Sequence, residues 1–471
     1  MTIYDVIHAA QWVFLTYFLM LNGGYIVLNF LSLFGMREYF RASSVDSLPK
    51  AYSEYELPIS ILVPAYNEAA TITASVRALL QLRYPEYEIV VVNDGSKDET
   101  LDVLIREFSL VAFPEAYRER IPTQAVNAVY VSTRFHNLRV VDKNNGGKAD
   151  ALNAGINCAR YPLFCGVDAD SVLQPDSLYQ VLQPFLDDSR TVACGGTIRI
   201  ANGCTVRDGF VEKIGLSDST LALFQTMEYL RAFLFGRLGW SPLNALLIIS
   251  GAFGLFRKEV VVSVGGYRTD TVGEDMELVV RMHRKLREQR KPYRITFVPD
   301  PICWTEAPED LKTLRSQRIR WQQGLAESLT MNMSLMFNPR GGAVGWAAFP
   351  FMFLFEFLGP LLEVSGYLFA GIAFANGWIS LSAFLAFLLC AICLGMVLST
   401  SALMLEEVSF HVYPGFRNTM RLFGAALLEN FGYRQITAVW RLVGLVRWLT
   451  GSRGKWGDMQ RKASWSAKTE T

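Results

Sequence analysis

The sequence is poor in the residues that mark several common protein classes. Its 471 residues include only 4 histidines, which stand far apart, and this argues against a zinc site built from histidine. The 7 cysteines lack metal-ligand spacing and are too few for a disulfide scaffold. Lys and Arg number 45 against 44 Asp and Glu, so the net charge is +1. Without a basic field, nucleic acid is not expected as a partner.

Charged residues are also scarce for a wholly soluble protein. They make up 19% of the chain, whereas hydrophobic residues make up 51%. This balance is too apolar for a soluble protein and too charged for a purely membrane-embedded one. The length predicts two or three domains, and the 13% aromatic content can support a large core.

One uncharged apolar run lies near the N-terminus. Residues 13–34 are long enough for a single membrane-spanning helix, which needs roughly 20 residues. Arg37 and Arg41 follow the run directly. The positive-inside rule therefore predicts an external N-terminus and a cytoplasmic location for the chain after Arg37.

A second apolar block lies near the C-terminus. Asn376-Gly377 divides it, which predicts a hairpin of two membrane helices over residues 349–375 and 379–404. We expect Pro350 and Pro360 to kink the first of these helices.

Two acidic residues lie inside the first predicted membrane helix. Glu356 and Glu363 are seven residues apart and share one helix face. They either lie near the lipid headgroups or line a polar path, and we favour the path because intramembrane acids usually face protein or water.

The segment after the hairpin alternates apolar stretches with arginine. Residues 420–449 predict an amphipathic helix, or a pair of helices, at the cytoplasmic interface, followed by a basic tail. The alternative is a fourth membrane span, which would bury several charges. The predicted division of the chain is an N-terminal membrane helix with its linker, a cytoplasmic catalytic domain, a membrane hairpin and interfacial helices with the tail: residues 1–50, 51–330, 331–412 and 413–471.

The middle of the chain alternates short apolar runs with segments of helical spacing. This pattern predicts an α/β fold with a parallel sheet. The predicted strands cover residues 59–63, 89–92, 138–141 and 163–167, and the helices between them cover residues 70–81, 98–108 and 148–159. The polar insertion over residues 113–137 is either a lid or a partner surface.

Polar residues follow three of the predicted strands. Since ligands bind beyond the carboxyl ends of strands in such sheets, these residues predict a site. They are Tyr66-Asn67-Glu68, Asn93-Asp94-Gly95 and Asp168-Ala169-Asp170.

Each motif has a functional and a purely structural interpretation. Asp168 and Asp170 can hold Mg²⁺ or Mn²⁺ against a diphosphate, or they form a solvated turn. Asp94 can accept a hydrogen bond from a nucleobase, or it can cap a helix. Gly147-Lys148 opens a helix in a way that suits phosphate, although the GxxxxGK[ST] pattern is absent.

The later part of the predicted catalytic domain carries two more motifs. Asp275 precedes a helical stretch and can serve as a general base or as a helix cap. Gln317, Arg320 and Trp321 share one face of a predicted helix over residues 309–328. Together they can bind diphosphate and stack on a sugar, or they belong to an interfacial helix.

The ordered set of motifs resembles the processive, membrane-embedded glycosyltransferases of family 2. The similarity covers about residues 58–329 and is closest to the poly-N-acetylglucosamine synthases, with hyaluronan and cellulose synthases also in the family. The motifs are Val63-Pro64-Ala65-Tyr66-Asn67-Glu68, Asn93-Asp94-Gly95-Ser96, Gly147-Lys148-Ala149, Asp168-Ala169-Asp170, Gly273-Glu274-Asp275 and Gln317-Arg318-Ile319-Arg320-Trp321. Gly273 departs from the threonine that often precedes Glu-Asp.

The resemblance implies a cytoplasmic nucleotide-sugar-binding domain of the glycosyltransferase A type, and it implies a role for each matching residue. Asp275 would be the catalytic base, with Glu274 beside it, and Ser250-Gly251-Ala252 would form an acceptor-side loop. Asp168 and Asp170 would hold the diphosphate, with Asp170 as the metal ligand. The other implied substrate-binding residues are Pro64, Ala65, Tyr66, Glu68, Asp94, Lys148, Gln317, Arg320 and Trp321.

The implied activity is that of an inverting, UDP-sugar-dependent and metal-dependent hexosyltransferase in a bacterial plasma membrane. UDP-GlcNAc is the expected donor, and a growing β-linked polysaccharide is the expected acceptor and is exported. A UDP-glucose-dependent β-glucan synthase, a glycolipid-forming transferase and an inactive assembly subunit stay open. The lipid bilayer is an expected partner, and the resemblance leaves a small accessory membrane subunit open.

Overall fold

Four apolar segments of the sequence form adjacent parallel strands in the computed structural model, which describes residues 3–45, 57–114, 116–207 and 209–451. Strand β1 (Ile59–Ala65) pairs with β2 (Tyr87–Asp94) and with β6 (Leu163–Val167), and β2 pairs with β5 (Leu138–Lys143). Every residue of β1 and β2 is buried. This burial explains their near-continuous apolar sequence, because parallel sheets are covered on both faces.

The complete sheet is mixed rather than parallel. Its further strands are β3 (Leu110–Ala112), β4 (Val126–Ser132), β7 (Val172–Leu173), β8 (Thr191–Ile200), β11 (Phe253–Arg257) and β12 (Arg294–Thr305). Ten of the strands in the described residues join it in the order β3-β4-β5-β2-β1-β6-β11-β8-β12-β7. Strands β9 (Thr205–Arg207) and β10 (Phe210–Lys213) pair with each other in a separate two-stranded sheet. Strands β3, β4, β7 and β11 pair antiparallel, whereas β8 and β12 are parallel. The prediction of a parallel sheet is therefore correct for the four central strands. It is wrong for the flanks, where β3, β4, β7 and β11 run antiparallel to their neighbours.

Helices cover the sheet and carry several of the motifs. Helix α4 begins at Lys148, and α9 begins at Glu274, directly after Gly273. A π-helical segment, Arg231–Arg237, joins α6 to α7. The helices of this part are α2 (Ile72–Leu79), α3 (Thr100–Phe108), α4 (Lys148–Cys158), α5 (Ser177–Asp187), α6 (Thr220–Leu230), α7 (Leu238–Trp240), α8 (Lys258–Ser263), α9 (Glu274–Glu288) and α10 (Leu311–Met331).

Part of the predicted insertion is sheet. Strand β4 pairs with β5 and with β3, so the second half of residues 113–137 extends the sheet at its edge. Asn157 of α4 anchors the segment before β4, because its side chain accepts from the amides of Arg120 and Ile121 at 3.0 and 3.1 Å.

The apolar runs form long helices that pack beside the α/β part of the chain. Among the described residues, Asp5–Arg37 and Leu381–Ser409 are long and apolar enough to cross a membrane. Val344–Phe357 and Gly359–Ala375 qualify together as one bent span. The elements are α1 (Ile3–Val45), α11 (Phe349–Phe351), α12 (Gly359–Ala375), α13 (Leu381–Leu388) and α14 (Leu394–Ser409), with π-helical segments at Val344–Ala348, Met352–Phe357 and Leu389–Cys393.

The predicted proline kink is present at one of the two prolines. The bent pair turns by 45° immediately before Pro360, which lies in the first turn of α12. Pro350 lies in α11, between two π-helical segments. Proline removes one backbone hydrogen bond of a helix. The bend before Pro360 and the π-helical segments around Pro350 both accommodate that loss.

The segment predicted to be amphipathic is a helix pair, α15 (Phe416–Leu428) and α16 (Tyr433–Leu449). Helix α16 packs against α10 and α12. Arg441 of α16 pairs with Glu356 at 2.7 Å and donates to Gln322 of α10 at 2.9 Å. Tyr25 of α1 also donates to Glu356. Glu356 therefore faces protein groups. The basic tail and residues 46–50 lie outside the described residues.

A buried ion pair links β2 to β5. Arg139 lies 2.5 Å from Glu88, and both side chains are at most 5% exposed. Glu88 also accepts from Ser60 at 2.6 Å and from the amide of Arg160 at 2.7 Å. The charge of Glu88 is thus compensated by a cation and two further donors inside the sheet layer.

Replacing Arg139 by methionine is expected to lower the melting temperature strongly. The substitution leaves a buried carboxylate without its cation, which costs about 3–5 kcal/mol. The measurement is thermal unfolding of the purified full chain in detergent. Arg190→Met is the matched control, because Arg190 pairs with Asp188 at 2.8 Å on the surface. Equal melting temperatures for the two variants would contradict the buried-pair argument.

Candidate active site

The predicted motifs meet at the carboxyl edge of the central strands. Ala65 of β1 is in register with Asn93 of β2, and Asp94 is in register with Lys143 of β5. Asp168 follows the end of β6 directly. The polar residues that follow separate runs in the sequence therefore share one edge of the folded sheet.

The first motif divides between the strand and the loop after it. Pro64 and Ala65 are the last two residues of β1 and are buried. Tyr66 and Glu68 follow them and are partly exposed. Of the residues Pro64, Ala65, Tyr66 and Glu68, only Tyr66 and Glu68 therefore have partly exposed side chains at this edge.

Hydrogen bonds join the first motif to the second. The amide of Asn67 donates to Ser96 at 3.0 Å, and the Asn67 side chain accepts from the amide of Lys97 at 2.8 Å. The amide of Glu68 donates to Thr100 at 2.9 Å. These bonds hold the two loops as one unit, and Asn67 is left-handed at φ 56°.

Asp94 is buried and is surrounded by donors from its own chain. Its Oδ1 accepts from Lys143 at 2.6 Å and from the amide of Gly146 at 3.0 Å. Its Oδ2 accepts from the amide of Gly147 at 2.7 Å and from Asn145 at 3.1 Å. A base N–H would have to share these oxygens, and the two glycine amides at the start of α4 are bound to Asp94.

Lys143 is a site residue that the sequence interpretation missed. Its amine is fully buried between Asp94 at 2.6 Å and Asp150 at 2.5 Å. The available signal was a lysine at the end of an apolar strand, where a buried cation needs a partner. Lys143 holds the Asp94 loop and the first turn of α4 together.

Lys148 is the cation at the centre of the acidic motifs. Its amine lies 2.5 Å from Asp168, 3.9 Å from Glu274 and 3.3 Å from the carbonyl of Gly251. Burial alone would lower the pKa of Lys148, but the charges of Asp168 and Glu274 raise it above its usual value. Lys148 is therefore a buried cation that joins two motifs more than 100 residues apart.

Asp275 is oriented by two backbone amides. Its Oδ2 accepts from Gly251 at 3.0 Å, and its Oδ1 accepts from Met276 at 2.8 Å. Each carboxylate oxygen keeps a second lone pair, so Asp275 can still accept a proton from a substrate hydroxyl. The contact with Gly251 places the predicted acceptor-side loop beside Asp275.

The carboxyl group of Glu274 has a raised pKa. Burial raises the pKa of Glu274 to about 7, with Lys148 opposing the shift and Asp275 adding to it. Burial disfavours the charged carboxylate, and the neighbouring carboxylate repels it. Glu274 and Asp275 thus have different environments although they are adjacent.

Asp168 and Asp170 lie in the turn after β6. The Asp168 side chain is 25% exposed and Asp170 is buried. Among the described residues, no three His, Cys, Asp or Glu side chains gather closely enough to hold a metal ion. Mg²⁺ commonly uses one or two carboxylates plus substrate phosphates. The pair therefore fits a divalent cation that arrives with a diphosphate.

The residues of the Gln317–Trp321 motif lie on α10. Trp321 is 44% exposed, and Arg320 is partly exposed. Gln317 Oε1 is buried and has no hydrogen-bond partner within the described parts of the chain. The indole of Trp321 and the guanidinium of Arg320 are therefore accessible on this face, whereas the Gln317 oxygen is enclosed.

A close glycine contact docks α10 against the loop before α9. A Cβ added to Gly273 would lie 2.7 Å from the Cα of Gly324. Glu327 accepts from the amide of Val272 at 2.9 Å, and Ser328 donates to the carbonyl of Gly273 at 3.3 Å. Both glycines therefore lie where the backbone of this loop meets the backbone of α10.

Comparison with models of known protein families identifies the family of the chain. A family model described as "Glycosyl transferase family group 2" matches residues 164–403, and one described as "Glycosyl transferase family 2" matches residues 60–112. The chain belongs to this glycosyltransferase family. The α/β fold predicted from the motifs is confirmed.

Similar proteins include two poly-beta-1,6-N-acetyl-D-glucosamine synthases from different Staphylococcus species. The one from Staphylococcus epidermidis is 31% identical over 272 residues, and the one from Staphylococcus aureus strain COL is 32% identical over 274 residues. Each match covers 58% of this chain, which spans only 55% of the relative. The mannosyltransferase PcManGT from Pyrobaculum calidifontis, solved with GDP-Man and Mn²⁺, is 18% identical, with a TM-score of 0.49 and coverage of 92% of this chain and 100% of that chain.

The glycine contact predicts that Gly324→Ala impairs glycosyl transfer. The added methyl group would force α10 away from the Gly273 loop, at a cost of about 1–3 kcal/mol. The measurements are the transfer rate and the melting temperature in detergent. Gly424→Ala is the matched control, because a Cβ there meets no atom within 4 Å. Wild-type transfer by Gly324→Ala would refute this packing argument.

Proposed function

We propose that the chain is an inverting, processive glycosyltransferase that adds N-acetylglucosamine from UDP-GlcNAc to a growing β-1,6-linked polysaccharide. The observation that carries the proposal is the convergence of Lys148, Asp168 and Glu274 with the Gly251–Asp275 contact at one sheet edge. The relatives named as synthases of this polymer support the donor and the linkage.

Asp275 is proposed as the general base. It removes the proton from the acceptor hydroxyl, whose oxygen then attacks C1 of the donor sugar. The bond between C1 and the diphosphate oxygen breaks, and UDP leaves from the opposite face. A single displacement of this kind converts an α-linked donor into a β-linkage. The amides of Gly251 and Met276 keep the carboxylate oriented for the proton transfer.

The leaving diphosphate requires positive charge at the sheet edge. Asp168 and Asp170 would hold Mg²⁺ or Mn²⁺, which supplies charge neutralisation when bound. Lys148 lies against Asp168 and is available to the same diphosphate. Arg320 of α10 is proposed to approach the diphosphate from the acceptor side, with Gln317 and Trp321 contacting the sugars.

Export of the product is proposed through the helices that adjoin α10. Gln322 follows Trp321 and donates to the carbonyl of Glu356 at 3.1 Å, within the bent helix pair. Helix α10 thus carries the proposed acceptor residues and also bonds directly to the backbone of the apolar helices. We propose a multi-pass protein of the bacterial plasma membrane with a cytoplasmic catalytic domain.

The donor and the base are tested together by UDP release from a panel of UDP-sugars. Purified wild-type protein is expected to turn over UDP-GlcNAc into a long product that an exo-acting β-1,6-N-acetylglucosaminidase degrades. Asp275→Asn should reduce the rate by about 10²–10⁴-fold, because it removes the base.

Glu288→Gln is the matched control, since this carboxylate is exposed at the other end of α9. Preference for UDP-glucose would refute UDP-GlcNAc as the donor. A lipid that carries a single sugar as the product would refute processive synthesis. Polymer that stays outside inverted membrane vesicles would refute export.

Metal removal is expected to abolish UDP release. EDTA should stop turnover, and Mn²⁺ or Mg²⁺ should restore it. Asp170→Asn should raise the concentration of Mn²⁺ needed for UDP to increase the melting temperature. Asp218→Asn, which changes a fully exposed carboxylate, should match the wild type. Full activity in EDTA would overturn the metal assignment.

A further inference from the structure

Arg318, within the Gln317–Trp321 motif, has no role in the proposed chemistry and yet is buried. Its side chain is 3% exposed, whereas Trp321 three residues later is 44% exposed. The Arg318 guanidinium lies over the indole of Trp321, with its carbon 4.3 Å from the ring centroid. A buried arginine thus contacts the ring that is available to the acceptor sugar.

The guanidinium is also held by an acidic side chain. Glu228 of α6 accepts from Arg318 Nη2 at 2.7 Å. The same carboxylate oxygen accepts from the hydroxyl of Tyr433 at 2.9 Å. Tyr433 is the first residue of α16, and its ring packs against Phe224 with a 5.2 Å centroid separation.

These contacts determine where Arg318 can lie. Its Nε and Nη1 are buried and have no hydrogen-bond partner in the described parts of the chain. The Trp321 ring and the Glu228 carboxylate are therefore the contacts that orient the guanidinium. A planar guanidinium stacks on an indole and pairs with a carboxylate at once, which the compact amine of lysine does less well.

We propose that Arg318 is a positioning residue that sets the orientation of Trp321 for the acceptor sugar. Glu228 and Tyr433 hold Arg318, so the start of α16 takes part in acceptor binding without touching the acceptor. This inference rests on the proposed function, because it takes Trp321 to be the acceptor contact. Arg318 is not among the residues proposed to contact the donor, so the KM for the donor is expected to stay unchanged.

The test compares the acceptor and the donor kinetically in Arg318→Gln. With short β-1,6-GlcNAc oligosaccharides as acceptors, the acceptor KM should rise roughly three- to tenfold, the range expected for loss of a cation–π contact. The KM for UDP-GlcNAc should stay at the wild-type value. Arg318→Lys should recover part of the loss, and Tyr433→Phe should show a smaller loss in the same direction.

A double-mutant cycle separates positioning from general packing. If Arg318 acts through Trp321, then Arg318→Gln should add little to the effect of Trp321→Ala on the acceptor KM. Arg315→Gln is the matched control, because Arg315 is an exposed arginine one turn earlier on α10. It should leave both KM values unchanged.

The proposal is overturned if the effects of Arg318→Gln and Trp321→Ala on the acceptor KM are additive. It is also overturned if Arg318→Gln raises the KM values of donor and acceptor equally. If Arg318→Gln does not fold, Tyr433→Phe in the same cycle with Trp321→Ala decides the question. A wild-type preference for another donor would refute the proposed function instead. The same acceptor comparison with that donor would still decide the role of Arg318.

Discussion

The site depends on one buried cation that holds several acids together. Asp168 and Glu274 come from distant parts of the chain, and their negative charges would repel each other at a buried edge. The Lys148 amine lies between them and also meets the carbonyl of Gly251, whose amide binds Asp275. Without this cation, gathering the carboxylates would cost desolvation and repulsion with no compensation. In the proposed mechanism the same charge also serves the leaving diphosphate, so that stability and chemistry would use one interaction.

A second constraint is steric and connects the site to the apolar helices. Gly273 and Gly324 bring two backbones into contact, which places the motif face of α10 beside the first turn of α9. Two residues before Gly324, Gln322 bonds the bent helix pair and Arg441 of α16. Helix α10 therefore contacts the loop before α9 and the apolar helices from adjacent positions.

Sequence patterns predicted the centre of the sheet well because its strands are buried on both faces and read as apolar runs. They did not predict strand β4 or the mixed pairing of the flanks, because strand direction is set by partners distant in sequence. The motifs located the sheet edge correctly. They did not show that Asp94 is engaged by Lys143 and the glycine amides, since these bonds depend on the register of β2 with β5.

The sequence by itself determined the α/β class, the long apolar helices and the order of motifs that places the chain in its glycosyltransferase family. These features are local, since periodicity, apolar runs and short motifs need no knowledge of distant contacts. Only the tertiary structure decided which side chains meet. The position of Lys148 among the acids, the Gly273–Gly324 contact and the link from Tyr433 through Glu228 to Arg318 all join residues that are far apart in the chain. Such contacts arise from packing, which no local pattern encodes.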